Sequence, residues 1–101
     1  MIRGFVTYDL AISLYQKCEQ IKAMHYLRDQ LLRASESTVL NIAEGSGRST
    51  RKDQARFYSI AFGSIREVQA ALTLLYCQDR QILDLADHVG ACLYRLIHWR
   101  P

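Results

Sequence analysis

Four groups of residues in this chain have the types and spacing to do chemistry. Gly45-Ser46-Gly47-Arg48-Ser49-Thr50 could grip a phosphate through backbone amides. Glu44 and Glu67 could work as a general acid and base. Asp84, His88 and Cys92 recur every four residues, the spacing at which one helix presents several metal ligands. Arg48, Arg51, Lys52 and Arg56, extended by Arg66, could hold nucleic-acid phosphates, with Ser49, Thr50 and Ser59 as neutral donors between them. Only Asp53 offsets that basic run.

The elements that must present these groups are helices. Half of the 101 residues are hydrophobic, with one Pro and five Gly, so turn residues are too scarce for a many-stranded β fold. The length suits a single domain over 1–101. Apolar residues recur at three- and four-residue intervals in four segments. The first, over 5–22, lines up Tyr8, Ala11, Ile12, Tyr15 and Cys18; the second, over 27–45, lines up Leu27, Leu31, Ala34, Thr38 and Ile42. The third, over 50–77, aligns Phe57, Ala61, Ser64, Val68, Ala71, Leu72 and Leu75, and the fourth, over 80–98, aligns Ile82, Leu85, Ala86, Val89, Leu93 and Leu96. Four amphipathic helices with short connections predict an all-α, up-and-down four-helix bundle.

Two helices carry apolar residues beyond these stripes. Leu32, Val39 and Ala43 on the second, and Tyr58, Phe62, Ile65 and Tyr76 on the third, form further stripes about 100° away. Coherent stripes of this kind mark a subunit interface, for which Leu32, Val39, Tyr58, Phe62 and Ile65 are the candidates, or else a wide core face.

With helices on both sides, the glycine-rich stretch is a helix boundary: Gly45 or Gly47 supplies a left-handed residue that ends the second helix, and Ser49 or Thr50 caps the third. A phosphate loop needs a strand before its glycines, and there is no Gly-Lys-Ser/Thr. Glu44 has backbone amides, Asn41 or Arg48 to bond, and no nucleophile beside a base can be assembled, which argues against catalysis. The Asp84, His88, Cys92 row offers no fourth ligand, and His25 and His98 stand alone. No cofactor or metal is expected. Cys18, Cys77 and Cys92 are odd in number and widely spaced, so they read as reduced core residues.

The order Gln30, Leu31, Arg33, Ala34, then Asn41, Ala43, Glu44, Gly45, Arg48, then Phe57, Tyr58, Ala61, Gly63, Ser64 and Glu67 resembles a bacterial family of four-helix-bundle proteins. That family was first noticed in intervening sequences of large-subunit rRNA genes and includes the accessory variability protein (Avd) of diversity-generating retroelements. The resemblance covers Gln30 to Gln69, and its specific parts are the Asn-x-Ala-Glu-Gly and Ala-x-Gly-Ser blocks. It implies a left-handed bundle assembled as a homopentameric ring with a basic surface and, in the retroelement branch, binding to reverse transcriptase and its template RNA. Thr38 departs from the Ile of many members, and its hydroxyl would have to bond a carbonyl one turn back.

The basic run remains as the functional lead. A net charge of +3 is mild, yet four of the thirteen Lys and Arg fall between Arg48 and Arg56. A non-enzymatic, homo-oligomeric adaptor that binds RNA or DNA by phosphate contacts follows; the alternative is a protein-interaction scaffold whose stripe docks an acidic partner. Phe57 on the core stripe and Tyr58 at the interface would leave no aromatic platform, so charge and shape would be read and bases would not. Arg95 and Arg100, beside His98 and Trp99, could add to the surface. Asp9, Lys17 and Glu19 interrupt the start where a signal peptide needs an apolar stretch, and no run spans a bilayer, which suggests a cytoplasmic protein with no membrane partner.

Overall fold

A helix begins where a side chain can accept the amides its first turn leaves unpaired, and three such residues punctuate this chain. The His25 Nδ1 accepts from the Leu27 amide at 3.0 Å, Thr50 Oγ1 from Asp53 at 3.1 Å, and Asp79 from Gln81 at 3.0 Å. The computed structural model describes the backbone of residues 2–23 and 25–99, and the side chains of 6–23 and 25–99. Its helices are α1 (Ile2–Glu19), α2 (Tyr26–Ser46), α3 (Arg51–Leu74) and α4 (Arg80–His98), with no strand among the described residues. Arg100 lies outside them.

The helix ends differ from the sequence expectation for local reasons. At the end of α1 the amides of Gln20 and Ile21 fold back onto the carbonyls of Lys17 and Cys18, both at 3.1 Å. The Arg28 guanidinium takes the carbonyls of Ile21 (2.7 Å) and Glu19 (2.9 Å), so α1 stops at Glu19 and not at 22. The third helix stops at Leu74, short of 77, in a Schellman turn. Cys77 donates to Leu72 and Tyr76 to Thr73, both at 3.0 Å, and Tyr76 takes φ 57°. A tyrosine held in the left-handed region costs about 1 kcal/mol relative to glycine, and its ring stays exposed.

Among the described residues no glycine is left-handed, contrary to expectation. Gly47 caps α2 at φ −89° and ψ −4°, and the hairpin closes through amide bonds of Gly47 to Glu44 and Arg48 to Gly45, both 3.2 Å. Gly45 is needed for space instead: a Cβ there would sit 2.7 Å from Tyr58 Cε1 and 3.1 Å from Phe57 Cβ.

Each helix packs against its chain neighbours and α1 closes onto α4, with α2 and α3 in the most extensive contact. In α2 the predicted Leu31, Ala34, Thr38 and Ile42 are buried while Leu27 is half-buried, and the Thr38 hydroxyl bonds the Ala34 carbonyl at 2.8 Å. In α4 the predicted Ile82, Ala86, Val89, Leu93 and Leu96 are buried, and Leu85 is half-buried against the core. In α1, Thr7 and Leu14 join Ala11 and Cys18 inside, while Tyr8, Ile12 and Tyr15 are half-buried.

The width of the α3 core face is the main correction: Ala61, Ser64, Val68, Ala71 and Leu72 are buried as expected, and two further residues join them. Tyr58 and Ile65, expected at a subunit interface, are 1% and 0% exposed in the chain's own core, with Val68 and Leu72. Phe57, expected inside, is half-buried outside the core cluster. Bulk decides it: Tyr58 is followed at seven-residue steps by Ile65 and Leu72, whereas Phe57 is followed by Ser64 and Ala71, which suit the close approach of α2. There Ser64 Oγ and Ser37 Oγ lie 2.9 Å apart, and Asn41 Nδ2 donates to the Ser37 carbonyl at 2.9 Å. The core face is therefore wide, spanning both apolar stripes.

Cys18 and Cys92 are buried, and Cys77 is half-buried against the core. Burial, reinforced by Cys77, pushes the Cys18 thiol up to about 12, so it stays protonated. Among the described residues no helix is long and apolar enough to cross a membrane.

Candidate nucleic-acid interface

Thr50 starts α3 at the tip of the α2–α3 hairpin, so the basic residues that follow it emerge in all directions at about 100° per residue. Lys52 and Arg56 are exposed, and Arg48 is half-exposed. Together with Thr50 and Asp53, Lys52 and Arg56 line an open depression of about 400 Å³. Arg66 is also exposed, about 15 Å further along the axis at the usual helical rise.

Arg51 does not belong to this surface. One helical step turns it toward α4, where its Nη2 donates to the carbonyls of Leu96 (2.5 Å), Trp99 (3.2 Å) and Ile97 (3.3 Å). Its guanidinium lies 5.6 Å from the Trp99 ring centroid. A cation is favoured at a helix C-terminus, where four carbonyls lack intrahelical partners, so Arg51 caps α4. Among the described residues the buried Tyr58 hydroxyl has no hydrogen-bond partner. Burial pushes its phenol up, and the Arg51 charge pulls it partly back.

The other two hairpin arginines are held at the surface. Arg48 Nη2 bonds Glu44 Oε2 at 2.6 Å, and its Nε stands 3.7 Å from Asp53 Oδ2. Arg56 Nε bonds Asp53 Oδ1 at 3.2 Å. Both guanidinium carbons stack on Phe57, at 4.6 Å for Arg48 and 4.3 Å for Arg56 from the ring centroid. An aromatic ring is therefore interleaved with these cations, against the expectation that none would be.

The sequence blocks that carried the family resemblance meet here and just behind: Asn41 with Ser37 and Ser64, Gly45 against Tyr58, Glu44 on Arg48. A family model described as 23S rRNA-intervening sequence protein matches residues 4–92. The chain belongs to this family. No curated protein and no solved structure matches the chain. Within the 23S rRNA-intervening sequence protein fold, the glycine-rich stretch is a hairpin that displays cations, with Glu44 pairing one of them.

The remaining candidates separate. Glu67 is exposed, and Glu44 pairs with Arg48. Asp84 pairs with Arg80 at 2.7 Å, His88 is exposed and Cys92 is buried. Among the described residues no three His, Cys, Asp or Glu side chains are grouped to hold a metal ion. The His98 ring lies against Tyr94, tilted by 33° with centroids 4.1 Å apart, and exposed Arg95 reaches Cys92 Sγ at 3.5 Å. Leu32, Val39 and Phe62 are half-buried at the edge of the core.

Proposed function

We propose that this protein is a non-enzymatic, homo-oligomeric adaptor, built on an up-and-down bundle, that binds RNA through phosphate contacts as an accessory to a retroelement reverse transcriptase. The carrying observation is the open, cation-lined depression of Thr50, Lys52, Asp53 and Arg56, with Arg66 further along the same helix. The family's description ties its members to an rRNA gene, and the retroelement role rests on the resemblance to Avd. A few phosphate contacts bind weakly at cellular salt, and a symmetric assembly multiplies them.

The test titrates an RNA hairpin and a duplex DNA into wild type and a Lys52→Ala, Arg56→Ala, Arg66→Ala variant at several salt concentrations. Arg51 is left intact, because removing it would confound binding with stability. The wild type should lose affinity steeply as salt rises, and the variant should bind at least about tenfold more weakly at low salt, with a shallower salt dependence. Equal affinity would move the surface elsewhere. A second reading, a scaffold that docks an acidic protein, is favoured by one observation: Glu44 and Asp53 already pair with Arg48 and Arg56. Wild type that binds no nucleic acid at all would promote it.

Assembly rests on apolar surface outside the core. Leu32, Val39 and Phe62 are half-buried, and Leu40, Ile60 and Tyr94 are exposed, with the Phe62 and Tyr94 centroids 6.4 Å apart. Covering such surface with further copies, five by family resemblance, removes it from water. Light scattering behind a sizing column should give an oligomer at micromolar concentration, and Phe62→Glu should dissociate it by burying an unpaired charge. A monomeric wild type would sink the assembly.

A further inference from the structure

The Arg48, Phe57, Arg56 stack is more than a charge cluster. A lysine would serve a phosphate as well, but only a planar cation on an aromatic ring offers a flat face. Arg56 is fixed from two directions: its guanidinium carbon stands over the Phe57 ring, 4.3 Å from the centroid, and Asp53 holds its Nε at 3.2 Å. Its side chain is nevertheless 60% exposed, so the outer side of the guanidinium meets solvent. Beside it opens the depression of about 400 Å³, to which Lys52 contributes an exposed ammonium with no ion pair among the described residues.

We propose that the Arg56 guanidinium, backed by Phe57, is a stacking platform for an unpaired nucleobase, with Lys52 on the adjoining phosphate. The proposal rests on the nucleic-acid reading above and adds what that surface selects. Unpaired bases stack on aromatic rings and on arginine planes, whereas a continuous duplex keeps its base faces covered. The platform therefore discriminates between unpaired and paired strands without reading a particular base. Asp53 sits at the edge of the same depression, where its carboxylate also disfavours a second phosphate at that point.

Two variants separate stacking from charge. Arg56→Lys keeps the cation and removes the plane; Phe57→Leu keeps an apolar group and removes the ring behind the plane. Both positions lie outside the core cluster, and circular dichroism checks that the fold is retained. The probes are a single-stranded oligonucleotide carrying 2-aminopurine, whose fluorescence falls on stacking, and a blunt duplex of equal length. Wild type should quench the probe, and each variant should bind the single strand roughly tenfold more weakly with much of the quenching lost. Salt dependence should be unchanged for Arg56→Lys, and duplex affinity should shift by less than about twofold in either variant. Wild type that binds the single strand without quenching, or variants that weaken single strand and duplex alike, would overturn the platform and leave the phosphate reading standing. Absence of any nucleic-acid binding would overturn both.

Discussion

Gly45→Val should lower the thermal midpoint by more than about 10 °C, the largest loss expected from any single added side chain in the hairpin. A Cβ at this position would meet Tyr58 Cε1 at 2.7 Å and Cδ1 at 2.9 Å, and Phe57 Cβ at 3.1 Å. Tyr58 is 1% exposed and the largest fully buried side chain among the described residues, so its ring has no room to retreat without disturbing the packed core around it. Overpacking of this kind costs up to about 3 kcal/mol, and the few tenths that Val gains over Gly in helix propensity do not offset it. A calorimetric scan checks the size. Tyr58→Ala in the Gly45→Val background should be clearly less damaging than the sum of the two single changes, because the two closest clashing atoms, Tyr58 Cε1 and Cδ1, are then gone. Gly63→Ala is the control: nothing lies within 4 Å of its added Cβ, so the helix should gain about 0.5–1 kcal/mol. A Gly45→Val midpoint within a few degrees of wild type would mean that α2 and α3 can separate at the hairpin.

The same geometry shows what the sequence could and could not reveal. The stripes of α2 and α4 were largely legible: Leu31, Ala34, Thr38 and Ile42 are buried, as are Ile82, Ala86, Val89, Leu93 and Leu96, while Leu27 and Leu85 are half-buried. In α3, two stripes run one residue apart, and periodicity alone gives each an equal claim to the core. The bulk of Ile65 and Leu72 behind Tyr58, against Ser64 and Ala71 behind Phe57, was an available signal that the periodic pattern overrode. The core face is wide enough to take in Tyr58 and Ile65 beside Ala61, Ser64, Val68, Ala71 and Leu72, and it leaves Phe57 at its edge among the arginines. Cations at the hairpin were legible as a run, but their separate duties were not. Arg48 reaches Phe57 across the hairpin, and Arg51 reaches Leu96, 45 positions away; both contacts exist only once the helices are packed.

Arg51→Met should cost about 2 kcal/mol of stability and leave nucleic-acid binding almost untouched, the opposite of its neighbour Lys52→Ala. The methionine stem replaces the apolar part of the arginine, so what is lost is the charge and its donors. Those donors serve the carbonyls of Leu96, Ile97 and Trp99, and hydrogen bonds from a charged group contribute roughly 1.5–3 kcal/mol when one partner is removed. The α4 C-terminus also loses the cation that complements its dipole, although Arg95 and His98 in its last turn remain. Urea unfolding should show a lower midpoint at unchanged slope. A second readout follows from Tyr58: burial raises its phenol and the Arg51 charge lowers it, so removing the charge should move its ionisation to still higher pH in an ultraviolet titration. Lys52 is exposed and makes no ion pair among the described residues, so Lys52→Ala should leave the midpoint in place and make the salt dependence of nucleic-acid binding shallower. Two residues adjacent in sequence thus divide cleanly between stability and binding because one helical step of about 100° separates a packed face from a solvent face. An Arg51→Met variant with wild-type stability and a shallower salt dependence would return Arg51 to the phosphate surface.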